Sequence, residues 1–583
     1  MPSWSKHSKI GSGKVSSRIG EILSMIFALV WIARAQGLES PPVTIFKPDT
    51  SLPKMNVPEF VITGKAQVDL PEPEKQSIEI DSSYFQGQNL QGIGIEVPIN
   101  SLGGQGTGNS GNASSLFARA SIGSYTTTDY LLSGGGDASG YLFHGSLLGN
   151  YTSGFIPYTI GRNLAIQAGV EKDFEVDQGA KTANSLDIGY SRDSYFLYGG
   201  HYLYDDEYTG NLLRTTYHFT AGINSDFNLG ELPLSTGLGF ERFSMDDIFD
   251  GVQSIIKLHA TTRVDLSSGS VGIDGMLHFG NHTINSSLTN IGVLDKSFYN
   301  LTIGADYNNT FGDISYSLGL HYFQYKDDSS NGIAKLYPDL RANYTANDVV
   351  SLFARFCGTI NEPELSNFIL TDPYFDSPYL LYNPPLRNTQ DFTDFTLGGK
   401  IAATGELAII PQISIEAARD FPIFASVADA SNYNELYYAN KATIFTASIT
   451  AEYKRDQFSA EATLNSQTGT ADSLTYIPNL PPFDVNLDAS YRFTRQFMAT
   501  GSLLVLSARY SDLPLPYFDL SSRSKLSASW LLGFRLSYYL MIGQMPLEIF
   551  AEGKNLLDQK YYIWQGYQEF PLILFFGISS KIL

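Results

Sequence analysis

The chain has 583 residues and is poor in charge, since only 17% of them are charged while 13% are aromatic. Its formal net charge of -21 argues against nucleic acid as a partner, and its single cysteine excludes a disulfide framework. A soluble protein of this composition would be unusual. A barrel that faces lipid outside and water inside needs this mixture of aromatic, glycine and small polar residues.

Residues 1–35 are predicted to be a secretory signal peptide. A basic leader precedes the apolar run Ile22–Ala33, and the triplet 33–35 is a cleavage site of the A-x-A kind. No later segment approaches about 18 uninterrupted apolar residues, so we expect no membrane-spanning helix. The sequence therefore predicts an exported protein.

Residues 36–75 are predicted to be a proline-rich periplasmic tail, because frequent prolines interrupt any periodic pattern. The tail contains one short run that could pair as an extended strand with a partner's sheet edge: Phe60, Val61, Ile62, Thr63 and Gly64. Runs this short also arise easily by chance. Both interpretations of this run stay open at the level of sequence.

Residues 76–115 form a lead-in rich in glycine, asparagine and serine, which could include the first strands but cannot pack a globular core. From residue 116 to residue 583 the chain reads as strand after strand. In Asp484–Phe493, apolar residues such as Leu487 alternate with polar residues such as Asn486, over the length that a tilted strand needs to cross a bilayer. The same alternation recurs along Thr443–Tyr453 and Leu526–Tyr538.

The connectors support the same fold. Counted backward from the carboxyl terminus, long segments alternate with tight turns, as expected when long outer loops face short periplasmic turns. We therefore predict an all-β protein, a transmembrane antiparallel β-barrel of about 22 strands within a range of roughly 20 to 24.

The longest connector, Asn361–Gln390, falls on the outer side. Its aromatic and acidic residues suit ligand capture, although ordinary packing explains them equally well. The residues that could contact a ligand are Asp372, Tyr374, Phe375, Asp376, Tyr379 and Tyr382. Paired acids such as Asp246-Asp247 are expected to be solvated at loop tips.

No enzyme is expected from this sequence, and we assign no catalytic, cofactor-binding or metal-ligating residue. The histidines are scattered and show no metal-ligand motif. His278 and His282 are four residues apart, but we expect them on a strand and its adjoining loop, too far apart to share a metal ion.

The last segment of the chain resembles the end of TonB-dependent receptor barrels of Gram-negative outer membranes. A penultimate strand runs into a polar turn, an aromatic loop and a final apolar strand. The positions that carry this C-terminal motif are Asn555, Leu556, Leu557, Asp558, Tyr561, Gly566, Tyr567 and Leu583. Leu557 stands where the family usually has an aromatic residue, and Leu583 stands where such barrels usually end in phenylalanine. A second stretch, 336–388, is similar to a hairpin of the same family.

This resemblance implies uptake of a small ligand across the outer membrane, with both termini in the periplasm. Implied partners are outer-membrane lipid, the barrel-assembly machinery and a TonB-type energy-coupling protein, for which Phe60–Gly64 resembles the docking box. The family's globular plug finds no room before residue 116. The lumen could then be gated by a separate plug or lipoprotein partner. A structural barrel without transport is the alternative.

Overall fold

The computed structural model describes residues 115–155, 159–176, 180–197, 213–229, 232–247, 249–286, 294–328, 332–374, 387–426, 434–472, 474–512, 525–543 and 545–582. The predicted signal peptide, the tail with Phe60–Gly64 and almost all of the lead-in lie outside these ranges. The expectation that no plug domain precedes the barrel concerns these same residues and stays a prediction.

The described chain is dominated by one sheet of 22 strands. The first fifteen are β1 Ser115–Gly123, β2 Thr127–Ala138, β3 Tyr141–Thr152, β4 Gly161–Val176, β5 Ala180–Phe196, β6 Leu213–Leu229, β7 Leu232–Asp246, β8 Phe249–Leu266, β9 Gly269–Ser286, β10 Leu294–Phe311, β11 Ile314–Asp327, β12 Ile333–Thr345, β13 Val350–Asn361, β14 Thr389–Ala402 and β15 Leu407–Arg419. The other seven are β18 Ala442–Arg455, β19 Phe458–Ala471, β20 Phe483–Arg492, β21 Phe497–Leu506, β24 Ser529–Ile542, β25 Met545–Lys554 and β28 Ile573–Ile582. The numbers missing from this series belong to short strands in the connectors.

The sheet closes on itself. Each strand pairs antiparallel with the next barrel strand along the chain, and β1 pairs antiparallel with β28, with Leu116 opposite Ile582. Closure leaves no open edge, so the strand backbones satisfy one another without water. The predicted all-β antiparallel barrel of about 22 strands is therefore confirmed, and its first strand begins at Ser115.

The two faces of the wall carry opposite side chains. Along β24, Trp530, Phe534 and Tyr538 are 51%, 43% and 45% exposed, while Ser537 between them is 1% exposed. Because successive strand residues point to opposite faces, the apolar set faces outward and the polar set faces the lumen. Leu487 on β20 is likewise exposed on the outside, as predicted.

The connectors differ sharply between the two ends of the barrel. At one end, which also holds the start of β1 and the end of β28, two to four residues join consecutive strands. At the other end the connectors are generally longer, and several contain structure of their own. We call these ends the short-turn end and the long-loop end.

The described parts of the long-loop connectors contain three small hairpins and one helix. They are the pairs β16 Phe421–Ser426 with β17 Asn434–Ala439, β22 Arg509–Tyr510 with β23 Lys525–Leu526, and β26 Tyr562–Trp564 with β27 Tyr567–Gln568, and the helix α1 Leu365–Thr371. A three-residue turn of 3-10 helix, Ser124–Thr126, joins β1 to β2. The strand predicted from Leu526 begins at Ser529, because Leu526 pairs with Arg509 instead.

The described part of the chain contains no helix that is both long enough and apolar enough to cross a membrane.

Candidate functional site: the loop cluster

Five long-loop connectors pack against one another and against the inner wall. We call the described part of this set the loop cluster; it comprises residues 362–374, 420–441, 472–482, 507–512 and 555–572, excluding positions that the structure does not describe. Its apolar centre is a group of buried side chains drawn from α1, from the β16–β17 hairpin and from the wall: Phe243, Met245, Ile284, Leu365, Phe368, Ile369, Phe424 and Leu436.

The connector between β13 and β14 folds inward and places α1 on the wall of β7 and β8. Leu365, at the first position of α1, is 1% exposed and packs in the same buried group as Met245. The first amides of a helix have no partner within the helix. Here the side chain of Gln253 on β8 accepts a hydrogen bond from the Leu365 amide at 2.7 Å and donates one to the Pro363 carbonyl at 3.1 Å.

Charged residues hold the start of the same connector. Lys257 on β8 contacts Glu364 at 2.7 Å and Glu241 on β7 at 2.8 Å, while His218 on β6 contacts Glu241 at 2.9 Å. Ser366 donates a hydrogen bond to Glu241 at 3.2 Å. This network ties three wall strands to the connector through one shared carboxylate.

His278 on β9 pairs with Glu362, the first residue after β13. Burial by itself would raise the pKa of Glu362, but the hydrogen bond and the charge of His278 lower it below its usual range. His282 lies on β9 as well, on the same face as His278, which corrects the expectation that it would fall in a loop. Four residues along a strand still separate the two rings by roughly 13 Å.

A buried ion pair supports the far end of the connector. Arg214 on β6 and Asp247 after β7 are 0% and 1% exposed and are 2.7 Å apart. Arg214 also donates a hydrogen bond to the Pro373 carbonyl at 2.6 Å, and Tyr195 donates one at 3.0 Å. The prediction that Asp247 is a solvated loop-tip residue is wrong, because the inward-folded connector covers it.

The candidate ligand contacts and the C-terminal motif, both predicted from sequence, meet where Tyr374 contacts Tyr567. Its ring stacks on that of Tyr567, with centroids 3.5 Å apart and planes 12° apart, and Tyr195 contacts Tyr374 edge-on. Tyr567 is completely buried. The aromatic contact therefore joins the connector after β13 to the connector before β28.

Asp372 lies inside the cluster rather than on its surface. Its side chain is 0% exposed and accepts a hydrogen bond from the Tyr374 amide at 2.9 Å. Burial raises the pKa of Asp372 to about 7. Its ligand-contact role stays a prediction, and its observed contact shapes the turn before Tyr374. The other candidate ligand contacts, Phe375, Asp376, Tyr379 and Tyr382, lie outside the described residues.

The C-terminal motif forms a clasp at the base of the last loop. The Asn555 side chain donates hydrogen bonds to the carbonyls of Gln559 and Phe570 at 2.8 and 3.2 Å, and Asp558 accepts one from the Leu572 amide at 3.0 Å. Asn555 and Asp558 both adopt a positive φ, at 49° and 50°, which these residue types tolerate.

The other motif residues are spread over the same loop. Leu557 is 56% exposed, Gly566 turns the β26–β27 hairpin at φ 83°, and Tyr561 accepts a hydrogen bond from the Glu569 amide. Leu583 lies outside the described residues.

The remaining connectors complete the cluster. The Ser426 amide donates to the Ser511 carbonyl at 2.8 Å, and Asn479 donates to the Phe424 carbonyl at 3.0 Å. Arg509 donates to the carbonyls of Tyr562 and Ile563, two residues of the last loop. Loops that are distant along the chain thus form one mutually supporting unit.

Reasoning from sequence missed the wall residues that dock the connector: Tyr195, Arg214, His218, Glu241, Gln253 and Lys257. A usable signal was present, because long charged or amide side chains at lumen-facing strand positions need partners when buried. Nothing in the local pattern showed where those partners were. Within the described ranges, no three His, Cys, Asp or Glu side chains converge in a way that could hold a metal ion.

The barrel shares its fold with several solved transporters and receptors. The structure of the FrpB iron transporter from Neisseria meningitidis (F5-1 variant) matches with a TM-score of 0.64 and 10% identity over 82% of this chain and 83% of that one. The siderophore receptor PirA from Acinetobacter baumannii matches with a TM-score of 0.63 and 11% identity over 81% of each chain.

A third match is the ferripyoverdine receptor of the outer membrane of Pseudomonas aeruginosa, with a TM-score of 0.61 and 14% identity over 82% of this chain and 72% of that one. Identities this low show a shared fold. The chain matches no protein-family model and no curated protein sequence.

Proposed function

We propose that this protein takes up a small ligand across the outer membrane through its barrel. The observation that carries the proposal is the closed 22-strand wall, apolar outside and polar inside, in the fold of proteins described as transporters and receptors. A lumen of this width would leak unless something fills it, and the inward-folded connector with α1 supplies part of that filling. No catalytic residue, cofactor or metal belongs to the proposal.

The proposed location is the outer membrane of a Gram-negative bacterium, with lipid around the exposed apolar face and insertion by the barrel-assembly machinery. We place both termini in the periplasm. Support for this orientation comes from the short turns, because outer-membrane barrels carry their short turns on the periplasmic side. Leu116 and Ile582 lie at that end of the barrel.

Energy coupling would act through the tail. The run Phe60–Gly64 could add a strand to the sheet edge of a TonB-type partner, as extended segments do in other complexes. The alternative is a separate plug or lipoprotein partner that gates the lumen. Proline at Ile62 would remove one amide donor from the added strand and weaken its pairing.

The experiment is uptake by cells and conductance in planar bilayers, each with and without the coupling protein. Wild type, Ile62→Pro and the control Gln67→Pro, which lies outside the run, are compared. We expect uptake to depend on the partner and to fall in Ile62→Pro alone. Uptake that changes neither with the coupling protein nor with Ile62→Pro would retain the import proposal and rule out energy coupling through the run.

A second function is a structural barrel that transports nothing. The observation that favours it is the extent to which the loop cluster is cross-braced, since Arg214, Arg509 and Tyr567 are all buried contacts between separate connectors or between a connector and the wall. Absence of both uptake and ligand-dependent conductance, in a protein that assembles normally, would favour this scaffold over the transporter.

A further inference from the structure

A recess of about 410 Å³ lies on the inner wall beneath the last loop. Asp488 of β20, Ser502 of β21 and Gly533 of β24 form one cross-strand row in its floor. A Cβ on Gly533 would come within 2.3 Å of Ser502 Oγ, so the glycine leaves room for the Ser502 hydroxyl in the floor. The volume lies within the range of small-molecule sites.

The roof of the recess is formed by the last loop, and it contains a buried carboxylate. Glu569 is only 7% exposed and lines the recess together with Tyr561 and Phe570. Its amide donates to the Tyr561 carbonyl, but among the described residues its side chain has no hydrogen bond and no ion pair. Burial raises the pKa of Glu569 to about 7.

The basic side chains of the recess lie beside other carboxylates and do not neutralise Glu569. Arg535 contacts Glu548 at 2.8 Å and Glu552 at 3.1 Å, and Lys554 lies 3.8 Å from Glu552. Asp488 adds a further acidic group to the floor. A buried carboxylate without a counter-charge is costly, so an incoming cation would remove a penalty that the fold already bears.

We propose that this recess binds the ammonium or guanidinium group of a small solute, with Glu569 as the counter-charge. Tyr561 and Phe570 line the same space, and aromatic side chains can stabilise a nearby cation. The inference deepens the proposed uptake function by naming a ligand class, and its biological meaning rests on that function. Binding itself can be tested without transport.

The affinity for a cation is expected to rise with pH. The ligand pairs with ionised Glu569, and with its pKa at about 7 the ionised fraction grows through neutrality. The charged or titratable groups that face the recess with it are Asp488, Arg535, Glu552, Lys554 and Tyr561. The Glu569→Gln variant lacks this carboxyl and keeps the other groups. Comparing it with wild type therefore isolates the contribution of Glu569 to the pH dependence of binding.

The test uses two probes of matched shape, N-acetylargininamide and its neutral urea analogue N-acetylcitrullinamide. Binding to the full chain in lipid nanodiscs is measured by calorimetry at about pH 5.5 and about pH 8. We expect the guanidinium probe to bind at least about tenfold more tightly than the urea at the higher pH, and to lose about tenfold or more at the lower pH. The urea should show no such change.

Two variants and one control decide the assignment. Glu569→Gln should bind both probes equally at both pH values, and Gly533→Leu should exclude both by filling the recess. Asp274→Asn on β9 removes an acid from another part of the barrel and should behave as wild type. Heat-modifiable migration on gels confirms that each variant has assembled.

Equal affinity for the two probes in wild type, or unchanged discrimination in Glu569→Gln, overturns the site. Uptake is measured in parallel so that the two proposals fail separately. Discrimination without any uptake would retain the site and remove the transport function. Uptake without discrimination between the probes would retain the transport function and remove the site.

Discussion

The outer face of the barrel wall and the loop cluster place large apolar side chains in opposite surroundings. On the outer face of the wall, Leu487 of β20 and Phe534 of β24 are 36% and 43% exposed. In the loop cluster, Leu365 and Leu436 are each 1% exposed and Tyr567 is 0% exposed. The same chain therefore exposes large apolar residues on the outer face of the wall and buries them inside the loop cluster.

Each of the two regions is folded for its own solvent. Apolar side chains of the wall gain nothing from burial when lipid surrounds them, and the strands hold together because backbone groups must be paired away from water. The connectors meet water, so they need a small hydrophobic core of the kind found in soluble proteins. The buried group around Leu365 and Phe368 supplies that core.

Loss of the ion pair beneath the loop cluster should have the most severe consequence. Arg214→Met leaves the Asp247 carboxylate buried without its base, which should cost about 3–5 kcal/mol of local stability. Hydrogen exchange at the amides of Phe368 and Asp372 should accelerate, while strand amides stay protected. The double variant with Asp247→Leu should recover most of the loss. Uniform loss of protection across wall and loops would mean that the two regions are not separate.

A charge on the lipid face should act on the wall alone. Leu487→Arg should cost about 2–4 kcal/mol near the bilayer midplane and block assembly, while Asn486→Arg on the lumen face should be tolerated. The amount of heat-modifiable barrel in outer-membrane fractions measures this. If the two variants reach the membrane equally, the assignment of faces is mistaken.

A milder change is expected from the aromatic stack between two connectors. Tyr374→Leu removes the stack with Tyr567 and should weaken the loop cluster by about 0.5–1.5 kcal/mol. Protease cleavage within the last loop should become faster. The matched control is Tyr491→Leu, which removes a comparable aromatic pair with Phe493 on the outer wall and should leave loop cleavage unchanged. Equally faster cleavage of the last loop in both variants would contradict the separation of the wall from the loop cluster.

Local pattern is enough to predict the wall. A period of two assigns every strand residue to one face or the other, and the alternation of long and short connectors sets the direction of each strand. The sequence alone therefore places Leu487 and Phe534 on the outer face, where both are exposed. The clasp is also local, since Asn555 and Asp558 bond to residues within the same loop.

The docking of the connectors is decided only by closure of the barrel. His278 and Glu362 are separated by 84 residues, and Arg214 and Pro373 by 159, so no periodic pattern relates them. Alternation states that such a side chain faces the lumen, but not which loop will fold across to meet it. Glu569, whose side chain has no partner among the described residues, is likewise recognisable only in three dimensions, because burial depends on what distant strands place around a residue.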